Sequence, residues 1–353
     1  MRLARIIESA RLLIERPTSE KVYRIQFAIT WKCQLACEMC NIWKKSNENE
    51  MALDDIKRVF SNRRFLKSLK TIDITGGEPF LRSDLAQIIE YFSAEFPKAK
   101  ILITTNGYST KQIESLGKKI LGACPPDKLE FSVSIDGPEK IHDKIRGKVG
   151  SYQNALESIE ILKKLGAKKI TLSTTITKEN RGSLMYVYNL AQSLGVRFAT
   201  ARFAQSSFYY ENPSLNMWSH DELKDVEREI DALIKARRAR EGISLRLLRD
   251  AYFLKKAISF QKNCAQKERC FSGTHSFFID PNGNIYPCVM LDKPMGNALG
   301  EDLEKIWFSE RAREIRDSIV KGNCSCHTEC ETFLSMQRNV KDILKILFGA
   351  LRT

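Results

Sequence analysis

The sequence predicts an α/β protein: an open, partial (β/α)6 barrel followed by a smaller extension built from a β-hairpin and helices. Three observations carry that reading. Apolar runs typical of buried strands alternate with helical periodicity through the first 205 residues. The alternation yields six β-then-α units, which implies a parallel sheet with right-handed crossovers but is too few to close an eight-unit barrel. Beyond Phe208 the alternation stops, and charged helices and a hairpin replace it.

In chain order, strands are expected at 23–30, 70–75, 101–105, 129–135, 169–176 and 197–203. Helices are expected between them at 53–61, 83–92, 111–121, 152–165 and 183–194. Gly166 and Gly195 fall just past two of these helices, where a left-handed cap is favoured. Residues 221–240 read as a long charged helix and 250–261 as a shorter one. A hairpin follows, with strands at 277–280 and 284–288 around the turn Pro281-Asn282-Gly283. Helices at 303–320 and 332–351 close the chain. The expected domains are an N-terminal amphipathic helix (1–22), the barrel (23–210), a helical connector (211–263), a Cys-bearing domain (264–332) and a C-terminal amphipathic helix (333–353).

Composition narrows the class. At 353 residues, with 43% hydrophobic and 28% charged residues, the chain can bury a large core without disulfides. No stretch approaches the roughly 18 apolar residues of a membrane span, and MRLARIIESARLLIERP lacks a signal-peptide core. A cytoplasmic, reducing location is therefore expected. There, ten Cys beside four His point to metal ligands, catalytic groups or buried apolar residues rather than a disulfide framework.

Three of those Cys stand together. Cys33, Cys37 and Cys40 form C-x3-C-x2-C just after the first strand. Structural zinc sites usually take four ligands, often as two C-x2-C pairs, whereas iron–sulfur clusters are held by thiolates crowded into short loops. Three Cys on a four-iron cube would leave one iron open to an exogenous chelator. Further polar or Gly-rich elements follow successive strands, at the barrel end where chemistry sits: Thr75-Gly76-Gly77-Glu78-Pro79, Thr105-Asn106-Gly107, and Ser134-Ile135-Asp136-Gly137 with Arg146 beyond it.

On these residues the chain resembles the radical SAM superfamily, whose fold is commonly a partial (β/α)6 TIM barrel. The resemblance implies a [4Fe–4S] cluster on Cys33, Cys37 and Cys40, its open iron chelating the amino and carboxylate groups of S-adenosylmethionine (SAM). Gly76, Gly77, Glu78 and Pro79 resemble the element that receives the methionine amino group. The fit is physically sensible: Gly permits close backbone approach, and a carboxylate complements an ammonium. Thr105 and Asn106 match a second family element. Ser134, Asp136 and Arg146 resemble residues that meet the ribose and carboxylate of the cofactor; Thr175 and Asn180 are weaker candidates. The implied activity is reductive cleavage of SAM to a 5′-deoxyadenosyl radical that abstracts a substrate hydrogen. An external electron donor of the flavodoxin or ferredoxin type is also implied.

Six Cys concentrate late: Cys264, Cys270, Cys288, Cys324, Cys326 and Cys330. The C-x12-G-x4-C from Cys270 through Gly283 to Cys288 is similar to the SPASM/Twitch extension of radical SAM enzymes, in which late Cys ligate auxiliary clusters. The final C-x-C-x3-C departs from the full pattern, so one auxiliary [4Fe–4S] cluster is expected, assisting electron transfer or substrate oxidation. Cys270, Cys288, Cys326 and Cys330 are the favoured ligands, with Cys324 able to replace Cys326 and Cys264 as a further alternative. His327 reads as a loop residue, and Cys124 as a packed or surface thiol. Sulfatase-maturing relatives carry Asp after the Cys of the G-x4-C element; Val289 stands there, against that particular activity. Only about 22 residues precede the first strand, so no fused leader-binding module is expected.

The charge is less specific. A net +14 concentrates partly at 235–256, with eight basic and two acidic residues. A solvated helix face is the ordinary explanation. Together with the amphipathic termini it also allows peripheral contact with an anionic membrane and a lipid-linked substrate. The competing class is a basic, zinc-binding nucleic-acid-interaction protein. The C-x3-C-x2-C loop followed by GGEP favours the enzyme, acting on a peptide, a protein or a small molecule.

Overall fold

The computed structural model describes residues 21–212, 218–263, 270–322 and 324–336. Five strands run parallel in sequence order: β1 (Arg24–Ala28), β2 (Thr71–Thr75), β3 (Lys100–Thr105), β4 (Leu129–Ser134) and β5 (Ile170–Ser173). The two-residue strand β6 (Thr175–Ile176) continues β5, and β7 (Arg197–Phe198) and β8 (Arg202–Phe203) share the last predicted strand. β5 pairs with β7, while β6 pairs separately with β8. The fifth and sixth predicted strands are thus bent rather than continuous. The bend has a local cause: the Asp136 carboxylate accepts the Thr175 N–H at 3.0 Å, drawing that segment toward the end of β4.

The helices between strands are α1 (Leu53–Val59), α2 (Leu85–Glu95), α3 (Thr110–Ala123), α4 (Glu139–Arg146), α5 (Ser151–Lys164) and α6 (Leu184–Ser193). Strand residues alternate by face. On the helix side, Phe27 meets Phe60 and Phe92 with ring centroids 5.6 and 6.3 Å apart, and each aromatic buried there contributes about 2–3 kcal/mol. The inner side is polar: Gln26, Asp73, Ser132, Thr171 and Ser173 face a cavity rather than a packed centre. Eight-residue α4 was not expected from periodicity, because two turns give too few repeats to register.

After the barrel come α7 (His220–Glu241) and α8 (Leu245–Asn263), the first opened by a Ser219–Glu222 capping box. The basic run at 235–256 is partly consumed in this pair. Arg237, Arg246 and Arg249 all converge on Asp250, which is only 1% exposed, and Arg246 also donates to the Phe198 carbonyl at 2.8 Å. These arginines hold two helices together and to β7, so the run is not a uniform basic face.

The hairpin forms as predicted, from β9 (Ser276–Ile279) and β10 (Asn284–Tyr286). Gly283 occupies the left-handed turn position (φ 82°), and Asp280 accepts the Asn282 and Asn284 N–H groups. β9 pairs in parallel with β1, and β11 (Gly296–Asn297) pairs with β10. The hairpin therefore extends the barrel sheet, in the order β11-β10-β9-β1-β2-β3-β4-β5-β7. The helix expected at 303–320 is two helices, α9 (Leu303–Phe308) and α10 (Glu310–Val320), broken where Ser309 caps the second. Trp307 anchors α9 against Phe277 and Phe65. The last described helix is α11 (Glu329–Met336). The N-terminal amphipathic helix and most of the C-terminal one fall outside the described residues, and no helix among the described residues is long and apolar enough to cross a membrane.

Candidate active site

The loop carrying Cys33, Cys37 and Cys40 leaves the end of β1 under tight control. Glu50 accepts the Trp31 N–H at 2.6 Å and the Thr30 hydroxyl at 3.0 Å. The Trp31 indole N–H donates to Asn282 in the hairpin turn at 2.6 Å, so the extension itself grips the loop. All three Cys line the central cavity. Burial pushes Cys33 and Cys40 up to about 12 and raises Cys37, whose thiolate is favoured in part by Arg146. Bare thiolates are thus disfavoured here, and a cationic centre that binds sulfur reverses that preference.

Gly76 and Gly77 lie directly on this loop. The Gly77 N–H donates to the Thr30 carbonyl and the Glu78 N–H to the Lys32 carbonyl, both at 2.7 Å. A Cβ at Gly77 would stand 2.1 Å from the Lys32 oxygen, so the close approach requires glycine. Both glycines line the cavity. Glu78 behaves differently from the expectation of an ammonium receptor. It is 1% exposed, and its carboxylate accepts the Thr105 hydroxyl (2.8 Å), the Asn106 N–H (2.7 Å) and the Phe80 N–H (3.1 Å). Burial, opposed by these hydrogen bonds, raises its pKa to about 7. Pro79 opens a buried 3-10 turn and does not line the cavity.

Thr105 and Asn106 reach the cavity from β3, and the Asn106 amide lies 3.8 Å from the Cys33 sulfur. Ser134 reaches it from β4. Arg146 arrives from the end of α4, with Nη2 2.7 Å from Asp136 and Nη1 3.8 Å from the Cys37 sulfur. Its Nε is buried without a hydrogen-bond partner. Asp136 is fully buried and orients Arg146 and Thr175 from behind; it does not line the cavity. Thr175 lines it, whereas Asn180 bridges the Thr177 N–H and the Thr175 carbonyl outside it.

The cavity measures about 290 Å³. Its remaining wall contains residues that motif reading did not select: Arg24, Asp73, Glu130, Arg202, Tyr210 and Glu329. The available signal was the period-2 placement of polar residues on the inward side of each strand, which matters only once the sheet is known to curl.

The late Cys separate into two places. Burial raises the thiols of Cys270, Cys288, Cys324 and Cys326, and nearby thiols add to this: Cys324 acts on Cys270, Cys270 and Cys326 on Cys288, and Cys270 and Cys324 on Cys326. Cys270 rises to about 11 and Cys326 to about 12. The Ser272 N–H points at the Cys270 sulfur at 3.4 Å. Glu331 ties this region to the barrel by accepting from Gln26 and Ser276. Cys330 stands apart from the expected set. It lies in α11, lines the central cavity, and its carbonyl accepts Arg24 Nη1 at 3.0 Å. The helical turn beginning at Glu329 carries the Cys330 backbone toward β1, whereas Cys324, the expected alternative, lies near Cys270 and Cys326. Cys264 falls outside the described residues. His327 stacks on Phe253 at 4.5 Å, and Cys124 is buried in the barrel core. Among the described residues, no three His, Cys, Asp or Glu side chains close on a point suited to a single metal ion.

Comparison with known proteins agrees with this geometry. Residues 28–191 match the radical SAM superfamily, and residues 270–331 match the SPASM iron–sulfur cluster-binding domain. The chain is 25% identical over 338 residues to an AdoMet-dependent heme synthase of Oleidesulfovibrio alaskensis, covering 87% of this chain and 81% of that one. It is 25% identical over 311 residues to the mycofactocin maturase MftC of Mycolicibacterium smegmatis, covering 85% and 74%. The fold is shared with anSMEcpe bound to AdoMet and the Cp18Cys peptide (TM-score 0.66, 16% identity, 94% and 99% covered). It is also shared with Streptococcus suis SuiB bound to its precursor peptide SuiA (TM-score 0.64, 16% identity, 89% and 71% covered). The chain belongs to the radical SAM superfamily and carries a SPASM domain, an enzyme architecture that uses S-adenosylmethionine with a [4Fe–4S] cluster and auxiliary iron–sulfur.

Proposed function

We propose that this enzyme abstracts a hydrogen from a substrate held inside the barrel, where Cys33, Cys37 and Cys40 would hold the cluster that binds SAM and the late Cys would hold one auxiliary [4Fe–4S] cluster. The observation that carries this reading is that one cavity is lined by those three Cys, by Gly76, Gly77, Asn106, Ser134 and Arg146, and by Arg202, Glu329 and Cys330. The donor sets suit the groups. Three partly buried thiols in one loop and four in the extension, of which Cys288 and Cys326 are buried, are chemistry that polynuclear iron accepts, and the unpartnered Arg146 Nε offers a donor for the cofactor carboxylate.

When bound, the cofactor pair supplies a 5′-deoxyadenosyl radical by one-electron reduction of the sulfonium, the electron coming from an external flavodoxin- or ferredoxin-type donor. The protein's share is positional. Gly76 and Gly77 bring backbone within contact of the cofactor's amino acid end, Glu78 fixes them against Thr105 and Asn106, and Asp136 holds Arg146. Cys270, Cys288, Cys324 and Cys326 would hold the auxiliary cluster, which would supply a one-electron acceptor for substrate oxidation. Membership of the superfamily displaces the zinc-binding alternative.

The substrate is one residue of a peptide or protein, in keeping with the maturase relatives and with the peptide-bound structures that share the fold. A small molecule is the second reading, supported by the heme synthase relatives. A lipid-linked carrier, docked through peripheral membrane contact, rests on the excess positive charge and the amphipathic termini alone. Anaerobic incubation with deuterated candidates tests the proposal: the true substrate transfers deuterium into 5′-deoxyadenosine. Reconstituted protein that holds iron yet never cleaves SAM would overturn it.

A further inference from the structure

Three guanidinium groups line the cavity, and two are held by close ion pairs. Arg24 pairs through Nε with Asp73 and donates to the Cys330 carbonyl. Arg146 pairs with Asp136 and points at Cys37. Arg202 is different. Its nearest carboxylate, on Glu329, is 3.6 Å away, beyond hydrogen-bonding reach, and among the described residues its guanidinium makes no hydrogen bond. Yet 34% of the side chain remains accessible and lines the cavity. Among the described residues its only ion pair is this long one to Glu329, so its accessible donors are open to a ligand or to water.

Position and charge specify the ligand. Arg202 opens β8, beside Thr175 of β6, at the carboxyl end of the barrel strands. The planar guanidinium fork fits a carboxylate through two parallel N–H···O bonds. The cavity's charged lining consists of Arg24, Arg146 and Arg202 against Asp73, Glu130 and Glu329. That balance suits a singly charged anion better than a phosphate dianion, which three surrounding carboxylates would repel.

We infer that Arg202 anchors a carboxylate of the substrate, so that the enzyme acts on a carboxylate-bearing compound or residue held between Arg202 and the cysteine loop. This deepens the function proposed above and rests on it. Glu329 occupies the place of a competing anion, which the substrate carboxylate displaces from the Arg202 approach.

The test uses the reconstituted, SAM-loaded holoenzyme, with phenylglyoxal labelling of Arg202 followed by peptide mass spectrometry. Propionate, its uncharged amide propionamide, and inorganic phosphate serve as probes. At saturation, propionate should slow labelling of Arg202 by roughly tenfold, the worth of a charge-assisted bidentate contact. Propionamide should leave it unchanged, and phosphate should protect less than propionate. In Glu329→Gln, the same protection should appear at lower propionate concentration. Equal labelling with and without propionate, equal protection by propionamide, stronger protection by phosphate, or no gain in Glu329→Gln would each overturn the assignment. Iron content and SAM cleavage measured on the same preparation separate the two levels. A preparation that cleaves SAM but shows no carboxylate protection sinks this inference alone, whereas one that holds iron and cannot cleave SAM sinks the proposed function.

Discussion

The Glu78 carboxylate accepts the Asn106 backbone N–H at 2.7 Å, joining the loop after β2 to the loop after β3. With the Thr105 hydroxyl and the Phe80 N–H on the same carboxylate, three donors from two loops depend on one buried group. Removing it in Glu78→Ala should cost roughly 3 kcal/mol, since the donors are left buried without acceptors. Thermal unfolding checks the stability, and isothermal titration with SAM checks the site. An unchanged melting temperature would show that the loops hold each other without this carboxylate.

Gly77 gives a sharper steric test. A methyl group there meets the Lys32 backbone oxygen at 2.1 Å, whereas one at Gly122, in the last turn of α3, meets nothing within 4 Å. Gly77→Ala should lower stability by about 3 kcal/mol or more and deplete iron at the first loop. Gly122→Ala should be neutral or stabilising by up to about 1 kcal/mol. Denaturant titration of the pair decides it: similar midpoints for both variants would refute the close-approach argument.

Iron counting tests the two Cys groups. Two [4Fe–4S] clusters predict about eight irons per chain on full reconstitution. Replacing Cys324 or Cys326 by Ser should remove about four of these and leave the SAM-binding cluster's spectrum intact. Cys330→Ser should retain the full complement, because Cys330 lines the cavity and Arg24 holds its carbonyl beside β1. Loss of the auxiliary signal in Cys330→Ser, with its retention in Cys324→Ser, would restore the ligand set expected from spacing.

His142 makes stability depend on pH. Its Nδ1 accepts the Asp136 N–H at 3.1 Å, and burial, reinforced by Arg146, lowers its pKa from 6.5 to about 4. The unfolded chain therefore takes up the proton first as pH falls. This contribution is fully present above about pH 6.5 and is lost progressively down to about pH 4. By pH 5 the loss should reach roughly 2 kcal/mol. Urea unfolding at pH 7.5 and pH 5 should show that difference in the wild type and a smaller one in His142→Asn. Equal pH dependence in the two proteins would mean that other groups dominate.

Much of the molecule is legible locally. The cysteine loop, GGEP, the Thr105-Asn106-Gly107 turn and the Pro281-Asn282-Gly283 hairpin each have a covalent or conformational requirement that a few adjacent residues satisfy. Hence their chemistry is visible without knowing where the chain goes. The alternation of strands and helices is equally local, because the periods of 2 and 3.6 are set by the backbone. Short α4 and the break after Ser173 were hidden: two turns carry little periodicity, and the bend depends on Asp136 from the loop after β4.

By itself, the sequence determined the parallel α/β class, the first cluster loop and the presence of a second thiol-rich region. Only the tertiary structure decided that Cys330 lines the central cavity, that Glu78 organises loops from behind it, and that Arg202 faces it with a long ion pair to Glu329. The reason is physical. Spacing along a chain constrains groups a few residues apart, but burial, hydrogen-bond satisfaction and charge balance are properties of neighbours, and residues such as Arg24 and Cys330 become neighbours only when the sheet curls and α11 returns against β1.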